Sequence, residues 1–500
     1  MDMNASPRQQ FLAWLEDQSF FDHGVISDEV GLMSQAEEKV LTLFHQAAAN
    51  VPAYNDFLKN AGINPVDIRT MDDFRQLPLT DKNNYIDAYD LTSRSWFGEL
   101  SLSHFIAVSS GTTGQPHFWP RTLQTELAGA RQHEFFLQEF FEVNQRKTLV
   151  IDGFYLGNTM AGTFTLACLQ LLKLKGLPLT ITTPGSNDKD IITFIHALHR
   201  EFDQTIIFGY PPILKEVVQQ LCQHRDAMDV TKLRLVCAGQ AFTENWRDYL
   251  LNQLGSTVNK PTIMAIYGSS DAGLMGFETL LSIRIRSCLA KQPDLTQYFF
   301  GDERLPSLYV YDPRTIFLES PAGELCFTID NGAPLIRYNI NDRGGVISFR
   351  QMISLMRQHL PDSQDWAGNN CGSFPFVYFF GRDRFMAKVY GLPIYSEYVQ
   401  QALNHASLAP YVTGNFVLEN VEDDDHNILL VCRVELEQGI KAEAELQKTM
   451  SEIFIQEFSA LSPLYTNFLE FLGEKAKPHI ILYDYQNPQY FDQGGSKKFT

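Results

Sequence analysis

The fold of this chain is decided by a stretch in its first half, TLVIDGFYLGNTMAGTFTLACLQLLKLKGLPLTIT, which covers residues 148–182. The apolar run at 148–152 is typical of a strand, residues 160–174 of a helix, and residues 177–182 of a second strand. A helix between two such strands predicts a parallel pair joined by a crossover, the unit of α/β proteins.

The same alternation extends beyond this stretch to residue 267. Strand-like runs cover residues 205–208, 233–238 and 262–267, and helix-like segments between them cover residues 190–200, 213–224 and 244–254. They predict a mainly parallel sheet covered by helices. In such sheets ligands bind beyond the carboxyl ends of the strands.

The remaining sequence changes character twice. Residues 301–350 alternate like a small antiparallel sheet, and after residue 381 the pattern becomes helix, strand, strand, helix, strand. We therefore predict an α/β protein of two parts, with a large N-terminal domain over residues 1–381 and a small α+β domain over residues 382–500.

Composition limits the classes of partner. Acidic residues outnumber basic ones by 59 to 40, which gives a net charge of −19. Nucleic acids and anionic membranes need a basic surface, so we expect neither as a partner. The seven cysteines show no C-x-x-C spacing, and the N-terminus shows no signal-peptide pattern. We therefore expect a cytoplasmic protein, either monomeric or homodimeric.

One loop carries the first chemical signal. It reads Ser109-Ser110-Gly111-Thr112-Thr113-Gly114-Gln115-Pro116 and follows an apolar run. Small residues let backbone amides approach an anion, and hydroxyls donate without adding charge. A Walker loop would place Lys-Ser or Lys-Thr after its last glycine, where this chain has Gln115-Pro116. On these residues alone a polyphosphate loop and a surface turn both stay open.

Two further segments could bind a nucleotide. Tyr267-Gly268-Ser269-Ser270-Asp271 follows a strand and offers hydroxyls to a phosphate and a carboxylate to Mg²⁺, although a simple turn explains it as well. In residues 337–344, Asp342 could accept both ribose hydroxyls, and a capped turn is the alternative.

The last two segments lie in the C-terminal part. Residues 381–391 fall where the pattern changes, which suits a linker or a hinge. Lys497 and Lys498 follow two glycines, so this segment is either an exposed basic tail or a mobile lysine that reaches a developing negative charge. The acidic segment 422–426 is interpreted as a solvated hairpin turn.

In this order, the five segments resemble those of the adenylate-forming superfamily of acyl-CoA synthetases, luciferases and peptide-synthetase adenylation domains. The phenylacetate–CoA ligase branch is the most similar, because its Ser-Ser-Gly-Thr-Thr-Gly-x-Pro loop matches residues 109–116 at every fixed position. Residues 50–54, 77–82 and 334–338 also resemble that branch. The resemblance covers the chain from about residue 35 to its end. It implies mainly parallel sheets with a small barrel-like subdomain, followed by a small mobile C-terminal domain.

The resemblance also implies a role for each segment. It assigns ATP binding to Ser109, Ser110, Gly111, Thr112, Thr113, Gly114, Gly239, Gln240, Tyr267, Gly268, Ser269, Ser270, Asp342 and Arg382. It assigns Mg²⁺ to Asp271, the hinge to Arg384, the thiol tunnel to Gly391 and catalysis to Lys497 or Lys498. The acid pocket would be lined by Tyr155, Leu156, Thr159, Phe208, Gly209, Tyr210, Ala238 and Gly273, which suggests an aromatic or apolar acid.

The implied reaction has two steps. A carboxylic acid reacts with ATP to give an acyl-adenylate, and a thiol, most often that of coenzyme A, then displaces AMP. Two other functions stay open: an adenylating enzyme that loads a carrier protein or another nucleophile, and a non-catalytic relative that binds nucleotide or acyl ligand. The chain departs from the family pattern at Ser270, Asp271 and Arg384, and residues 275–305 match no family segment.

Overall fold

The computed structural model describes residues 6–17, 26, 28–109, 117–157, 159–223, 228–302, 304–360, 366, 372–382, 386–405, 407–408 and 410–491. Several predicted site residues lie outside this part of the chain, namely Ser110, Gly111, Thr112, Thr113, Gly114, Arg384, Lys497 and Lys498. The phosphate loop, the hinge residue and the terminal lysines therefore remain predictions.

A helical region leads into the sheet. Its helices are α1 (Pro7–Glu16), α2 (Glu29–Asn50), α3 (Pro52–Asn60), α4 (Met71–Arg75) and α5 (Leu91–Arg94). α1 begins at a capping box, in which the hydroxyl of Ser6 accepts from the amide of Gln9 and the side chain of Gln9 accepts from the amide of Ser6. The hairpin formed by β1 (Phe105–Ser109) and β2 (His117–Arg121) follows.

An eleven-stranded sheet forms the centre of the molecule. Its parallel strands are β3 (Thr148–Asp152), β4 (Leu179–Thr182), β5 (Gln204–Gly209), β6 (Leu233–Cys237) and β7 (Ile263–Ser269), in the order β4-β3-β5-β6-β7. The helices among them are α6 (Leu123–Phe141), α7 (Met160–Lys175), α8 (Asp188–Leu198), α9 (Pro211–Gln223) and α10 (Glu244–Gln253). Every residue of β3 and β5 is buried, which is why both strands lack polar alternation.

The antiparallel strands continue the same sheet. They are β8 (Gly273–Phe277), β9 (Ser307–Val310), β10 (Phe317–Glu319), β11 (Glu324–Ile329), β12 (Leu335–Ile347) and β13 (Phe376–Arg382), ordered β7-β8-β9-β13-β12-β11-β10. α11 (Leu280–Leu289), α12 (Pro293–Phe300) and α13 (Phe349–His359) belong to this region. The sequence separates residues 301–350 from the parallel strands. The structure joins them through β8, whose turn from β7 is one of the predicted nucleotide segments.

The C-terminal part forms its own sheet. The hairpin of β14 (Met386–Val389) and β15 (Leu392–Tyr395) precedes α14 (Ser396–Leu403), β16 (Val412–Glu422), β17 (Ile428–Leu436), α15 (Ala444–Leu461), α16 (Pro463–Leu472) and β18 (His479–Tyr483). β16 and β17 are antiparallel, and β18 lies parallel to β17. The predicted α/β fold class, with a separate small C-terminal sheet, is confirmed.

A buried network of charged side chains stabilises β7, the strand that leads to the candidate site. The guanidinium of Arg247 donates to both carboxylate oxygens of Glu278, at 2.6 and 3.0 Å, and to Glu244 at 3.0 Å. It also donates to the carbonyl oxygen of Ile263, and Glu278 accepts from the amide of Ala265, so the network holds β7 directly. Among the helices that the structure describes, none has the length and apolar character needed to cross a membrane.

Candidate active site

The carboxyl ends of the parallel strands bring together residues that are far apart in sequence. Gly209 ends β5, and its carbonyl oxygen accepts from the amide of Ala238 at 3.1 Å. Gly239 follows with a φ of +80°, a conformation that favours glycine. The predicted segments at 209–210 and 238–240 are therefore neighbours at one edge of the sheet, where α/β proteins bind ligands.

Ser109 marks the start of the predicted phosphate loop. It is the last residue of β1 and pairs with His117, the first residue of β2, so residues 110–116 connect the two strands of a hairpin. The hydroxyl of Ser109 accepts from the indole nitrogen of Trp119 at 2.9 Å. His117 lies 2.7 Å from a carboxylate oxygen of Asp87. Residues 110–116 themselves lie outside the described residues, so the phosphate loop stays a prediction.

Tyr267 and Asp342 meet across the sheet. The phenol of Tyr267 donates to Oδ2 of Asp342 at 2.6 Å, and its ring stacks on Phe379 at a centroid distance of 4.4 Å. Asp342 is buried, with 6% of its surface exposed, and it pairs in register with Arg382 on β13. Asn341 precedes it with a φ of +60°, so the backbone is constrained at this point. Two segments that the sequence could only present separately are thus joined by one hydrogen bond.

The turn between β7 and β8 carries Ser270 and Asp271. Both residues are half-buried, and the carbonyl oxygen of Asp271 accepts from the side-chain amide of Asn331 at 2.8 Å. Gly268 admits no larger residue, because a Cβ there would lie 2.6 Å from the carbonyl oxygen of Gly273. Within the described part of the chain, three or more histidine, cysteine, aspartate or glutamate residues nowhere gather as a metal site. A carboxylate beside hydroxyls fits Mg²⁺ when phosphate oxygens complete its shell.

Most of the residues predicted to line the acid pocket lie at the end of β5 and in the segment before α7. Phe208, Gly209 and Tyr210 are buried at the end of β5, and Tyr155, Leu156 and Thr159 are half-buried in the segment before α7. Gly273 packs against the Phe164 ring, with its Cβ position 3.2 Å from Cζ of Phe164. The side-chain amide of Gln240 is buried, and neither of its polar atoms has a hydrogen-bond partner among the described residues. Such an amide is suited to a ligand.

Gly391 brings the C-terminal part to this site. A Cβ on Gly391 would lie 2.2 Å from Cε1 of Tyr210, and a Cβ on Gly239 would lie 3.4 Å from Cα of Gly391. Tyr155 also contacts Phe468 of α16, with ring centroids 5.9 Å apart. Two residues of the predicted acid pocket are thus covered by the C-terminal part.

The turn between β16 and β17 makes further contacts with the N-terminal part. Lys215 donates to the side chain of Asn427 at 2.7 Å and to the carbonyl oxygen of Asp425, and Thr243 bonds Glu422. The ring of His426 stacks on Tyr249 at 4.6 Å. The sequence interpretation of a hairpin turn is correct, but this turn is an interface rather than a freely solvated loop.

Sequence reasoning missed two buried polar residues beside Phe208, which is predicted to line the acid pocket. Asp152 ends β3 with none of its surface exposed, and His133 on α6 is 1% exposed. Burial raises the pKa of Asp152 to about 8 and lowers the pKa of His133 to about 4. A carboxylate closing a fully apolar strand was the signal that could have identified Asp152.

No protein-family model and no curated protein matches the chain. Its fold is similar to solved structures of 2-hydroxyisobutyryl-CoA ligase. With the complex of 2-HIB-AMP and CoA in the thioesterification state, the TM-score is 0.62 at 14% identity over 93% of this chain and 89% of that chain. With the postadenylation-state complex with 2-HIB-AMP, the TM-score is 0.51 at 14% identity over 94% of this chain and 88% of that chain. With the open conformation it is 0.50 at 13% identity, covering 94% and 90%.

Proposed function

We propose that this chain, which has the fold of the adenylate-forming enzymes, activates a carboxylic acid with ATP and transfers the acyl group to the thiol of coenzyme A. The observation that carries the proposal is the hydrogen bond between Tyr267 and Asp342, which joins two of the three predicted nucleotide segments. Ser109 leads to a polar loop, Asp271 lies in the β7–β8 turn, and the carboxylate of Asp342 bonds Tyr267. The polar loop after Ser109 is suited to polyphosphate, the carboxylate of Asp271 to Mg²⁺, and the carboxylate of Asp342 to the ribose hydroxyls.

In the first step an oxygen of the acid attacks the α-phosphorus of ATP. The bond between the α-phosphorus and the bridging oxygen breaks, and pyrophosphate leaves with the electron pair. Ser270 donates to the α-phosphate, Asp342 holds the ribose, and Lys497 or Lys498 meets the charge that develops between the two reactants. Mg²⁺, held by Asp271, neutralises phosphate charge when it is bound.

In the second step the thiol gives its proton to solvent, and its sulfur attacks the acyl carbonyl. AMP leaves with the electron pair of the bond that breaks. Gly391 lies against Gly239 and Tyr210, so a thiol arm that passes Gly391 arrives at the acid pocket. The higher TM-score with the relative in its thioesterification state than with its postadenylation state, 0.62 against 0.51, supports this use of the arrangement.

The test is exchange of labelled pyrophosphate into ATP across a panel of carboxylic acids. We expect exchange that depends on an added acid and is lost in Asp271→Asn, with the urea-unfolding midpoint within error of wild type. ATP binding without exchange for any acid would instead identify a non-catalytic relative. Release of AMP on addition of coenzyme A, compared with a carrier protein bearing a phosphopantetheine arm, then identifies the acceptor.

A further inference from the structure

Two buried side chains beside the acid pocket have polar atoms with no partner among the described residues. They are Oδ2 of Asp152 and Nε2 of His133, on side chains that are 0% and 1% exposed. A buried polar group without a hydrogen bond costs about 1–3 kcal/mol. Two such groups in one region therefore indicate that something else completes their hydrogen bonds.

Both side chains lie on the same side of the sheet, next to Phe208. Asp152 pairs in register with Phe208 on neighbouring parallel strands, so the two residues project from the same face. The ring of His133 stacks on the ring of Phe208 at 6.2 Å, with an angle of 25° between the planes. Phe136 and Phe164 flank the imidazole at 5.2 and 6.1 Å. The polar atoms are thus set in an aromatic environment.

The hydrogen-bonding sense of each atom follows from its neighbours. Nδ1 of His133 lies 2.8 Å from the carbonyl oxygen of Gly129, which can only accept, so Nδ1 carries the proton and Nε2 is an acceptor. Oδ1 of Asp152 accepts from the amide of Phe154 at 3.2 Å. Burial raises the pKa of Asp152 to about 8. The carboxyl is therefore protonated at neutral pH, and Oδ2 is its donor.

The pair lies under the proposed active site. Phe208 leads directly to Gly209 and Tyr210, and Tyr210 contacts Gly239 and Gly391. On the other side, Phe164 connects His133 to Gly273, at the end of the turn that carries Asp271. An acid that enters between residues 209–210 and the turn that carries Asp271 would contact the aromatic rings around Phe208. It would do so with the end of the molecule that is remote from its carboxylate.

We propose that the acid is a hydroxylated aromatic acid, whose ring packs on Phe208 and whose hydroxyl donates to Nε2 of His133 and accepts from Oδ2 of Asp152. This inference rests on the proposed function, because it names the substrate of that site. A hydroxyl both donates and accepts a hydrogen bond, so one group can complete the hydrogen bonds of Nε2 of His133 and Oδ2 of Asp152. The proposal narrows the aromatic or apolar acid that the sequence suggests.

The experiment compares acids that differ only in this group. Phenylacetate and benzoate carrying a hydroxyl at the meta or para position are paired with the corresponding fluoro acids, which have similar size but no hydroxyl donor. We expect kcat/KM for adenylate formation to favour at least one hydroxyl acid by about 10- to 100-fold over its partner. Equal values for every pair in the wild-type enzyme would overturn the proposal.

Three variants assign the effect to the two residues. His133→Phe keeps the ring stack and Asp152→Leu keeps the volume, but each removes one partner of the hydroxyl. We expect the hydroxyl-to-fluoro ratio to fall to about 1 in both. Asp152→Asn retains a donor and an acceptor, and the ratio stays above 1. An unchanged ratio in both His133→Phe and Asp152→Leu would overturn the assignment, and if one of them fails to fold, the other decides.

A binding measurement separates this inference from the proposed function. Calorimetric titration of each acid pair into the wild-type protein and the same variants reports affinity without turnover. A chain that gives no pyrophosphate exchange with any acid lacks the proposed function, whatever this titration shows. A chain that exchanges with both members of every pair equally retains the proposed function and contradicts the hydroxyl site.

Discussion

The phenol of Tyr267 donates a 2.6 Å hydrogen bond to Oδ2 of Asp342, and this bond joins β7 to β12 at the centre of the candidate site. The two residues are 75 positions apart in sequence, and each lies within its strand. The bond fixes one oxygen of the carboxylate that we assign to the ribose. Under the proposed function, the orientation of the nucleotide therefore depends on Tyr267, which also borders the turn proposed to hold Mg²⁺.

Tyr267→Phe is expected to raise the KM for ATP by about 10- to 100-fold, because a hydrogen bond to a charged carboxylate is worth about 1.5–3 kcal/mol. The ring keeps its stack on Phe379, so the fold is retained. Steady-state kinetics with ATP varied at saturating acid measures the change. Tyr309→Phe is the matched control, since Tyr309 stacks on Tyr267 at 5.7 Å but belongs to β9. Equal effects of the two variants would contradict a role for the bond to Asp342.

Gly391→Ala is expected to slow thioester formation by at least 10-fold and to leave pyrophosphate exchange within about twofold. Its φ is +82°, and the added Cβ would lie 2.2 Å from Cε1 of Tyr210, so the alanine variant cannot adopt this docked arrangement without displacement. Acyl transfer from preformed acyl-adenylate, followed by quenching, measures the second step alone.

Gly414→Ala provides the control for backbone strain. Gly414 has the same φ of +82°, but its nearest neighbour to an added Cβ is the side-chain amide of Gln400, 3.7 Å away. If Gly414→Ala slowed acyl transfer as much as Gly391→Ala, the defect would come from strain in the C-terminal part. The contact with Tyr210 would then have no special role.

Lys497→Ala is expected to reduce adenylate formation by at least 100-fold while sparing acyl transfer from preformed adenylate. A cation that meets charge developing on the α-phosphate acts only in the first step. Pyrophosphate exchange and thioester formation are measured separately. Lys498→Ala is the internal control, and the larger loss in one variant identifies the catalytic lysine. Equal losses in both half-reactions would contradict the proposed role.

Arg247→Leu is expected to lower the free energy of unfolding by about 3–5 kcal/mol, because it leaves the carboxylates of Glu244 and Glu278 buried without their main partner. Burial disfavours the charge of Glu244, but Arg247 and Arg286 together hold its pKa below the ordinary value. Urea unfolding measures the change. Arg146→Leu, which breaks the half-exposed pair with Glu142, should cost under about 1 kcal/mol. Comparable losses would contradict the importance of burial.

The sequence predicts the parallel part of the fold closely, because fully buried strands and amphipathic helices leave strong local patterns. Strands β3, β5, β6 and β7 all lie where apolar runs predict them. The predicted antiparallel region, residues 301–350, is wrong at its end. Ser348 caps the start of α13, and the preceding strand runs from Leu335 to Ile347 without a break.

The contacts that build the candidate site cannot be predicted from the sequence, because they join residues that are far apart along the chain. No local pattern joins Tyr267 to Asp342, or Gly391 to Tyr210 and Gly239. His133 escapes for a second reason, since it stands among the polar residues Arg131, Gln132 and Glu134, where one more polar residue gives no distinct signal. Its burial and the missing partner of its Nε2, which only the structure reports, identify it.

The stability of the wild-type protein relative to Asp152→Asn is expected to fall as pH rises from about 4 to 8. Burial raises the pKa of Asp152 from 3.8 to about 8, so in this window the folded state binds a proton that the unfolded state has lost. The stabilising contribution of the Asp152 carboxyl is complete below its pKa in the unfolded chain. It is lost as the pH rises through its pKa in the folded protein. Its slope is about 1.4 kcal/mol per pH unit, since one proton is involved.

Urea unfolding at half-unit steps between pH 5 and 8 measures this slope, and the asparagine variant removes it because its side chain does not titrate. Asp229→Asn is the control. The hydroxyl of Thr231 lowers the pKa of Asp229, so that carboxylate loses its stabilising contribution only on acidification below this range. Parallel curves for wild type and Asp152→Asn would mean that Asp152 is ionised in the folded protein. Its Oδ2 could then only accept, and the donor required for the substrate hydroxyl would be absent.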